Sequence, residues 1–231
     1  MSEQDLAYEP DVKRVFTSRE ETRQFYNKIA GIYDLMAEHS EGPMREKGLA
    51  MLAVQPGETV LEVGFGTGNC LLELANAVGT TGKVLGIDLS DNMLAHANKI
   101  CGEAGVGGRV ALQRGDGEQL PYADASIDAI FTSFTLELFD TPDLPKVLAE
   151  WRRVLRPGGR LGVVAVSREG GPSTIIKVYE WTHKHFPNML DCRPIYVARA
   201  LQAAGFTVSK SLVEKMWVPV EIVLGVKPAG G

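Results

Sequence analysis

Glu62-Val63-Gly64-Phe65-Gly66-Thr67-Gly68 constrains this chain more than any other stretch. The apolar run before it, Thr59-Val60-Leu61-Glu62-Val63, reads as a buried strand, and the run after it, Cys70 to Ala77, reads as a helix. Three glycines at alternate positions therefore sit at a strand-to-helix join. Glycine lets the backbone turn sharply and approach a ligand at a point where a Cβ would collide. An acidic residue ahead of such a join is what a nucleoside-binding turn needs.

Dinucleotide-binding oxidoreductases carry a similar turn, so the next partners must separate the readings. The dinucleotide fingerprint wants a third Gly or Ala where this chain has Asn69. The next strand, Lys83 to Ile87, ends on Asp88, twenty residues beyond Gly68. A carboxylate there can accept from both ribose hydroxyls, a feature both classes share. A third strand, Val110 to Gln113, leads into Arg114-Gly115-Asp116-Gly117, where the Asp116 carboxylate can accept from an adenine amine and the Gly117 N–H can face a ring nitrogen. The fourth strand is Ile127 to Thr132, followed by Ser133-Phe134-Thr135-Leu136-Glu137-Leu138-Phe139. A helix is expected to end at Leu155-Arg156-Pro157-Gly158-Gly159, before a fifth strand from Arg160 to Val166.

This ordered set resembles the class I S-adenosylmethionine-dependent methyltransferases over roughly residues 25–227. Within them, Tyr26 to Met36, Gly86 to Leu94 and Glu118-Gln119-Leu120-Pro121-Tyr122 are similar to the ubiquinone/menaquinone-biosynthesis C-methyltransferase group. The resemblance implies an α/β fold: a doubly wound, mostly parallel, Rossmann-like sheet with a C-terminal antiparallel edge hairpin. It implies S-adenosylmethionine as donor and S-adenosylhomocysteine as product. It implies a lid helix with Tyr33 near the donor's methionine end, and Leu89 and Met93 against the adenosine. The cofactor set is then Tyr33, Glu62, Gly64, Phe65, Gly66, Gly68, Asp88, Leu89, Met93, Asp116, Gly117 and Ser133. One departure stands out. The quinone group reads Ser-Phe-Gly-Leu-Arg-Asn after the fourth strand, and this chain has Thr135, Glu137 and Leu138 in place of the Gly, Arg and Asn.

At 231 residues the chain suits one α/β domain over 1–231 and is short for two. A net charge of −5 argues against nucleic acid as a partner, because phosphate binding needs a clustered basic face. The acidic start and the lack of a long apolar run predict a cytoplasmic protein with at most peripheral membrane contact. The oligomeric state is left open. Cys70, Cys101 and Cys192 are too few and too scattered for a disulfide framework or a zinc site, and no metal is expected.

Residues 1–16 read as a loose tail. Ser18-Arg19-Glu20-Glu21 is a capping box that would start the lid helix, running to about Glu38. After the fifth strand, Gly170-Gly171-Pro172 breaks the chain. Residues 173–186 then carry Ile175, Ile176, Tyr179, Trp181, His183 and Phe186, within a cap at about 170–195. The segment reads equally as an acceptor cap or as a surface helix. A helix over Ile195 to Ala204 and a strand pair, Phe206 to Val213 and Pro219 to Val226, close the chain.

Methyl transfer from a sulfonium is an in-line displacement that asks mainly for alignment, and for a base where the acceptor must lose a proton. The catalytic candidates are Glu137, His183 and Tyr33, with Tyr26, Tyr179 and His185 behind them. Glu137 reads equally as a base facing the methyl or as a carboxylate favoured at a helix start. Glu62 either binds the donor's amino group or ties down the glycine loop. The acceptor expected is a small, partly apolar or lipid-like molecule. Quinol, phospholipid amine and secondary metabolite all suit it, and a non-catalytic donor-binding module is the alternative of another class.

Overall fold

The computed structural model describes residues 12, 18–29, 33–169 and 193–230, with backbone alone at 29 and 33–39. The expected tail (apart from Val12), residues 30–32 of the expected lid and 170–192 of the expected cap, with Tyr179, His183 and His185, lie outside the described residues.

Seven strands form one sheet in the order β3-β2-β1-β4-β5-β7-β6. These are β1 (Thr59–Val63), β2 (Lys83–Asp88), β3 (Val110–Arg114), β4 (Ile127–Ser133), β5 (Leu155–Val166), β6 (Thr207–Lys215) and β7 (Pro219–Val226). The first five are mutually parallel, and β7 runs antiparallel to both β5 and β6. Such a parallel core is apolar on both faces because helices cover both. Along β1, Val60 faces a cluster with Leu71, Leu74 and Met93, while Leu61 faces a second cluster with Trp151, Leu148 and Leu201. The first layer holds α2 (Tyr33–Leu52), α3 (Asn69–Ala77) and α4 (Asp91–Glu103); the second holds α5 (Leu144–Val154) and α6 (Val197–Ala203).

The capping box forms as expected: Ser18 N donates to Glu21 Oε2 at 2.7 Å and Glu21 N donates to Ser18 Oγ at 3.3 Å. The helix it starts, α1, spans Arg19–Ile29. A separate helix, α2, then runs to Leu52, well past the expected end near Glu38 and straight through Pro43. Packing explains the length. An added Cβ at Gly48 would stand 2.4 Å from Val164 Cγ2 and 3.0 Å from Phe131 Cε2, so this glycine lets α2 lie against β4 and β5.

The Pro-Gly-Gly segment also differs from expectation. Helix α5 already ends at Val154, and β5 begins at Leu155. Arg156 to Gly159 is an excursion within that strand, because Ile127 pairs with Leu155 and Ala129 pairs with Arg160. Among the described residues no helix is long and apolar enough to cross a membrane.

Candidate functional site

The strand order reverses at β1, between β2 and β4, and a cleft opens at the carboxyl ends of the strands there, where α/β sheets bind ligands. It encloses about 830 Å³, part of it open to solvent. Glu62, Gly64, Phe65, Gly66, Asp88, Leu89, Met93, Asp116, Gly117 and Ser133 all line it. Ten of the residues singled out from the sequence thus converge from four strand ends.

The glycine turn is shaped at two points. Gly64, at φ +73, donates its N–H to Ile87 O at 2.8 Å, and an added Cβ would lie 2.2 Å from Thr135 Oγ1. Gly66, at φ +52, would carry a Cβ into space with nothing within 4 Å, which leaves its backbone bare toward the cleft. Gly68 is the N-cap of α3 and lies behind the turn against Ala97.

Asp88 joins this turn to the next one. Its Oδ2 accepts from Gly66 N and its Oδ1 from Ser90 N, each at 2.9 Å. Burial raises its carboxyl above the usual range, and the Ser90 and Gly66 N–H groups pull it back. Ser90 caps α4 by accepting from Met93 N at 3.1 Å, which sets Met93 under the cleft. Across the cleft, Asp116 Oδ1 accepts from Glu118 N at 3.0 Å. Gly117 is pinned by Trp151 Nε1, which donates to its carbonyl at 2.8 Å.

At the other end, Glu62 is 1 % exposed, and its Oε2 has no hydrogen-bond partner among the described residues. Burial drives its carboxyl well above the ordinary range; Arg45 opposes that, and Asp88 and Glu73 add to it. Arg45 lines the cleft from α2 and pairs with Glu41, also a lining residue, at 3.1 Å. A buried acceptor with spare capacity beside a cation is suited to the ammonium and carboxylate of an amino acid.

Helix α1 roofs the cleft, with Thr22 and Tyr26 in its lining. Arg19 reaches Asp116 (Nε to Oδ2, 3.3 Å) and Glu118, with its guanidinium 4.5 Å from the Phe139 ring centroid. Arg23 pairs with Asp91 at 2.7 Å, and Asn27 Oδ1 accepts from Ser90 Oγ at 2.6 Å. The roof is therefore pinned to the second and third strand ends.

Glu137 is not brought to the cleft. It sits in a short 3-10 turn, Leu136–Leu138, fully buried, and accepts from Val166 N at 3.0 Å. The turn directs Leu138 into the cleft and Glu137 into the sheet interior, which corrects its expected place facing the methyl. His183 lies outside the described residues, and Tyr33 is described by backbone alone. Phe134, at φ +50, holds a strained backbone where the wall turns past β4. Sequence reasoning missed Glu41 and Arg45 on α2 and the lining roles of Thr135 and Phe139. Thr135 had a signal in its departure from the quinone group; Arg45 had none.

Comparison with known proteins agrees with this geometry. A family model described as a methyltransferase domain matches residues 60–159. Nocamycin O-methyltransferase of Saccharothrix syringae is 31% identical over 216 residues, covering 83% of this chain and 74% of that protein. Demethylmenaquinone methyltransferase of Lactobacillus johnsonii is 33% identical over 173 residues, covering 73% and 69%. The crystal structure of an S-adenosylmethionine-dependent methyltransferase from Aquifex aeolicus superposes with a TM-score of 0.61 at 26% identity, covering 91% of this chain and 98% of that one. With a relative above 30% identity matched over most of both chains, this protein belongs to the S-adenosylmethionine-dependent methyltransferases.

Proposed function

We propose that the chain moves a methyl group from S-adenosylmethionine to a small, partly apolar acceptor entering beside the turn after β4. When bound, the donor supplies an electrophilic methyl on a sulfonium. The protein's part is to hold that centre in line with the acceptor and keep water away, where orientation alone is worth roughly 7–11 kcal/mol. In this reading Asp88 accepts from the ribose hydroxyls and Asp116 from the adenine amine. Glu62 and Arg45 take the ammonium and carboxylate, with Leu89 and Met93 against the adenosine. Gly64, Phe65, Gly66, Gly117 and Ser133 shape the walls, and Gly68 caps α3 behind them.

The observation that carries the acceptor class is the lining of Phe134, Leu138 and Phe139 past β4, an apolar wall in which Leu138 stands where the quinone group has Asn. Tyr33, at the donor's methionine end, and His183 are carried forward as catalytic candidates, and Tyr26 is the candidate acid–base group that lines the cleft. A second reading, C-methylation of a quinol ring, is favoured by the demethylmenaquinone methyltransferase relative.

Incubation with methyl-labelled donor and a cell metabolite extract tests the proposal. Enzyme-dependent label in the organic phase supports an apolar acceptor, and comigration with a methylated quinone selects the second reading. New label confined to the aqueous phase would overturn the apolar acceptor.

A further inference from the structure

Strand β6 is the outermost strand of the sheet and pairs with β7 alone, so one rim of its N–H and C=O groups faces outward. It runs for nine residues without a proline. The exposed large hydrophobic residues among the described residues are Leu212 (41 %), Val213 (47 %) and Trp217 (49 %), and all three fall on β6 or in the turn that follows it. Scattered single apolar side chains are ordinary on a surface, but their concentration on one open edge is not.

The charges on this edge decide what covers it. Lys210-Ser211-Leu212-Val213-Glu214 is self-complementary about Leu212. Laid antiparallel on a copy of itself across a twofold axis, Leu212 meets Leu212, and each Lys210 faces the Glu214 of the other copy. Edge lysines usually deter strand pairing. Here the register places an acid opposite the lysine, so the same residue selects one partner. An unrelated strand would have to bring its own matching acid, and a second copy brings it by symmetry. Glu214 also pairs with Lys47 of its own chain at 2.6 Å, which steadies its carboxylate.

We propose that the β6 edge is a twofold self-association surface of this chain, joined antiparallel in the register centred on Leu212. Opposite charges directly across an antiparallel pair are favourable and like charges unfavourable. One strand pair alone is smaller than the roughly 800 Å² per partner of a standard stable interface, so the association is reversible and concentration-dependent.

Sedimentation equilibrium on the full chain tests this. The wild type forms dimers at high concentration. Lys210→Glu and Glu214→Lys each set like charges opposite one another twice, and each raises the dimer dissociation constant about tenfold or more. An equimolar mixture of the two variants recovers association, because each copy then carries the charges that the other lacks. A wild type that stays monomeric throughout overturns the proposal, as do single variants that associate like the wild type. A mixture that stays monomeric overturns the register. Thermal melting checks that both variants fold. Should Glu214→Lys fail to fold through loss of its Lys47 pair, Leu212→Lys replaces it, and unchanged association in that variant overturns the proposal.

Discussion

Replacing Asp88 by alanine tests the ribose assignment most sharply, because its carboxylate is the hinge between two loops. In the ligand-free protein it accepts from Gly66 N and Ser90 N, each at 2.9 Å. Losing both acceptors destabilises the fold, but removing a buried carboxylate relieves its desolvation. The net loss is on the order of 1–3 kcal/mol, because the freed Gly66 N–H borders the cleft and can reach water while the Ser90 N–H stays buried. The donor loses more. Two ribose hydroxyls bonded to a charged acceptor are worth about 1.5–3 kcal/mol each, discounted for water that takes their place in the variant. A loss of about 3–5 kcal/mol follows, on the order of 10²–10⁴-fold in donor affinity. Asp88→Asn keeps one acceptor oxygen but turns a donor toward one backbone N–H, so its loss falls between wild type and alanine. Calorimetric titration with S-adenosylhomocysteine measures the affinities, and thermal melting without ligand confirms folding. A folded Asp88→Ala that binds within about threefold of the wild type would refute the assignment.

Gly64→Ala meets Thr135 Oγ1 at 2.2 Å and Cγ2 at 2.5 Å from a backbone at φ +73, so strain and overpacking together cost about 2–5 kcal/mol. Adding Thr135→Gly recovers the clash but not the strain, and an unrecovered melting temperature would count against the packing account. Arg19→Ala frees the roof from Asp116, Glu118 and Phe139, and should speed donor release several-fold in stopped-flow chase with little change in melting, since each partly exposed ion pair is worth about 0.2–1 kcal/mol; an unchanged release rate would deny α1 a lid role. Burial raises Glu62 above its usual 4.5, so its contribution to ligand-free stability is complete below that pH and is lost as pH rises through the folded value. With the proposed Glu62–ammonium contact, donor affinity should run the other way across that window, and Glu62→Gln should flatten both slopes; Asp88 and Glu221 are raised by burial too, so the variant-minus-wild-type difference is the readout.

The parts of this molecule written locally were legible from its sequence. Strand β1 falls at Thr59–Val63 as expected, because an apolar run ends in a glycine turn that admits one geometry. The Ser18–Glu21 cap was readable for the same reason: both partners lie within one helical turn. What depended on tertiary contact was not. The lid helix was expected to end near Glu38, yet α2 continues to Leu52 because Gly48 lets it pack onto Phe131 and Val164, far away in sequence. Arg45 lies on that helix with no apolar stripe to orient it, so nothing local says that it faces Glu62. Of the two readings of Glu137, the base facing the methyl is not the one found, because a short 3-10 turn directs its carboxylate to Val166 N inside the sheet.

The structure of the protein with S-adenosylhomocysteine bound would test the account most directly. It should show both ribose hydroxyls on Asp88, the adenine amine on Asp116, and the ammonium on Glu62 Oε2 with the carboxylate toward Arg45. A product bound away from the β1, β2 and β3 strand ends, or a ribose that bypasses Asp88, would contradict it.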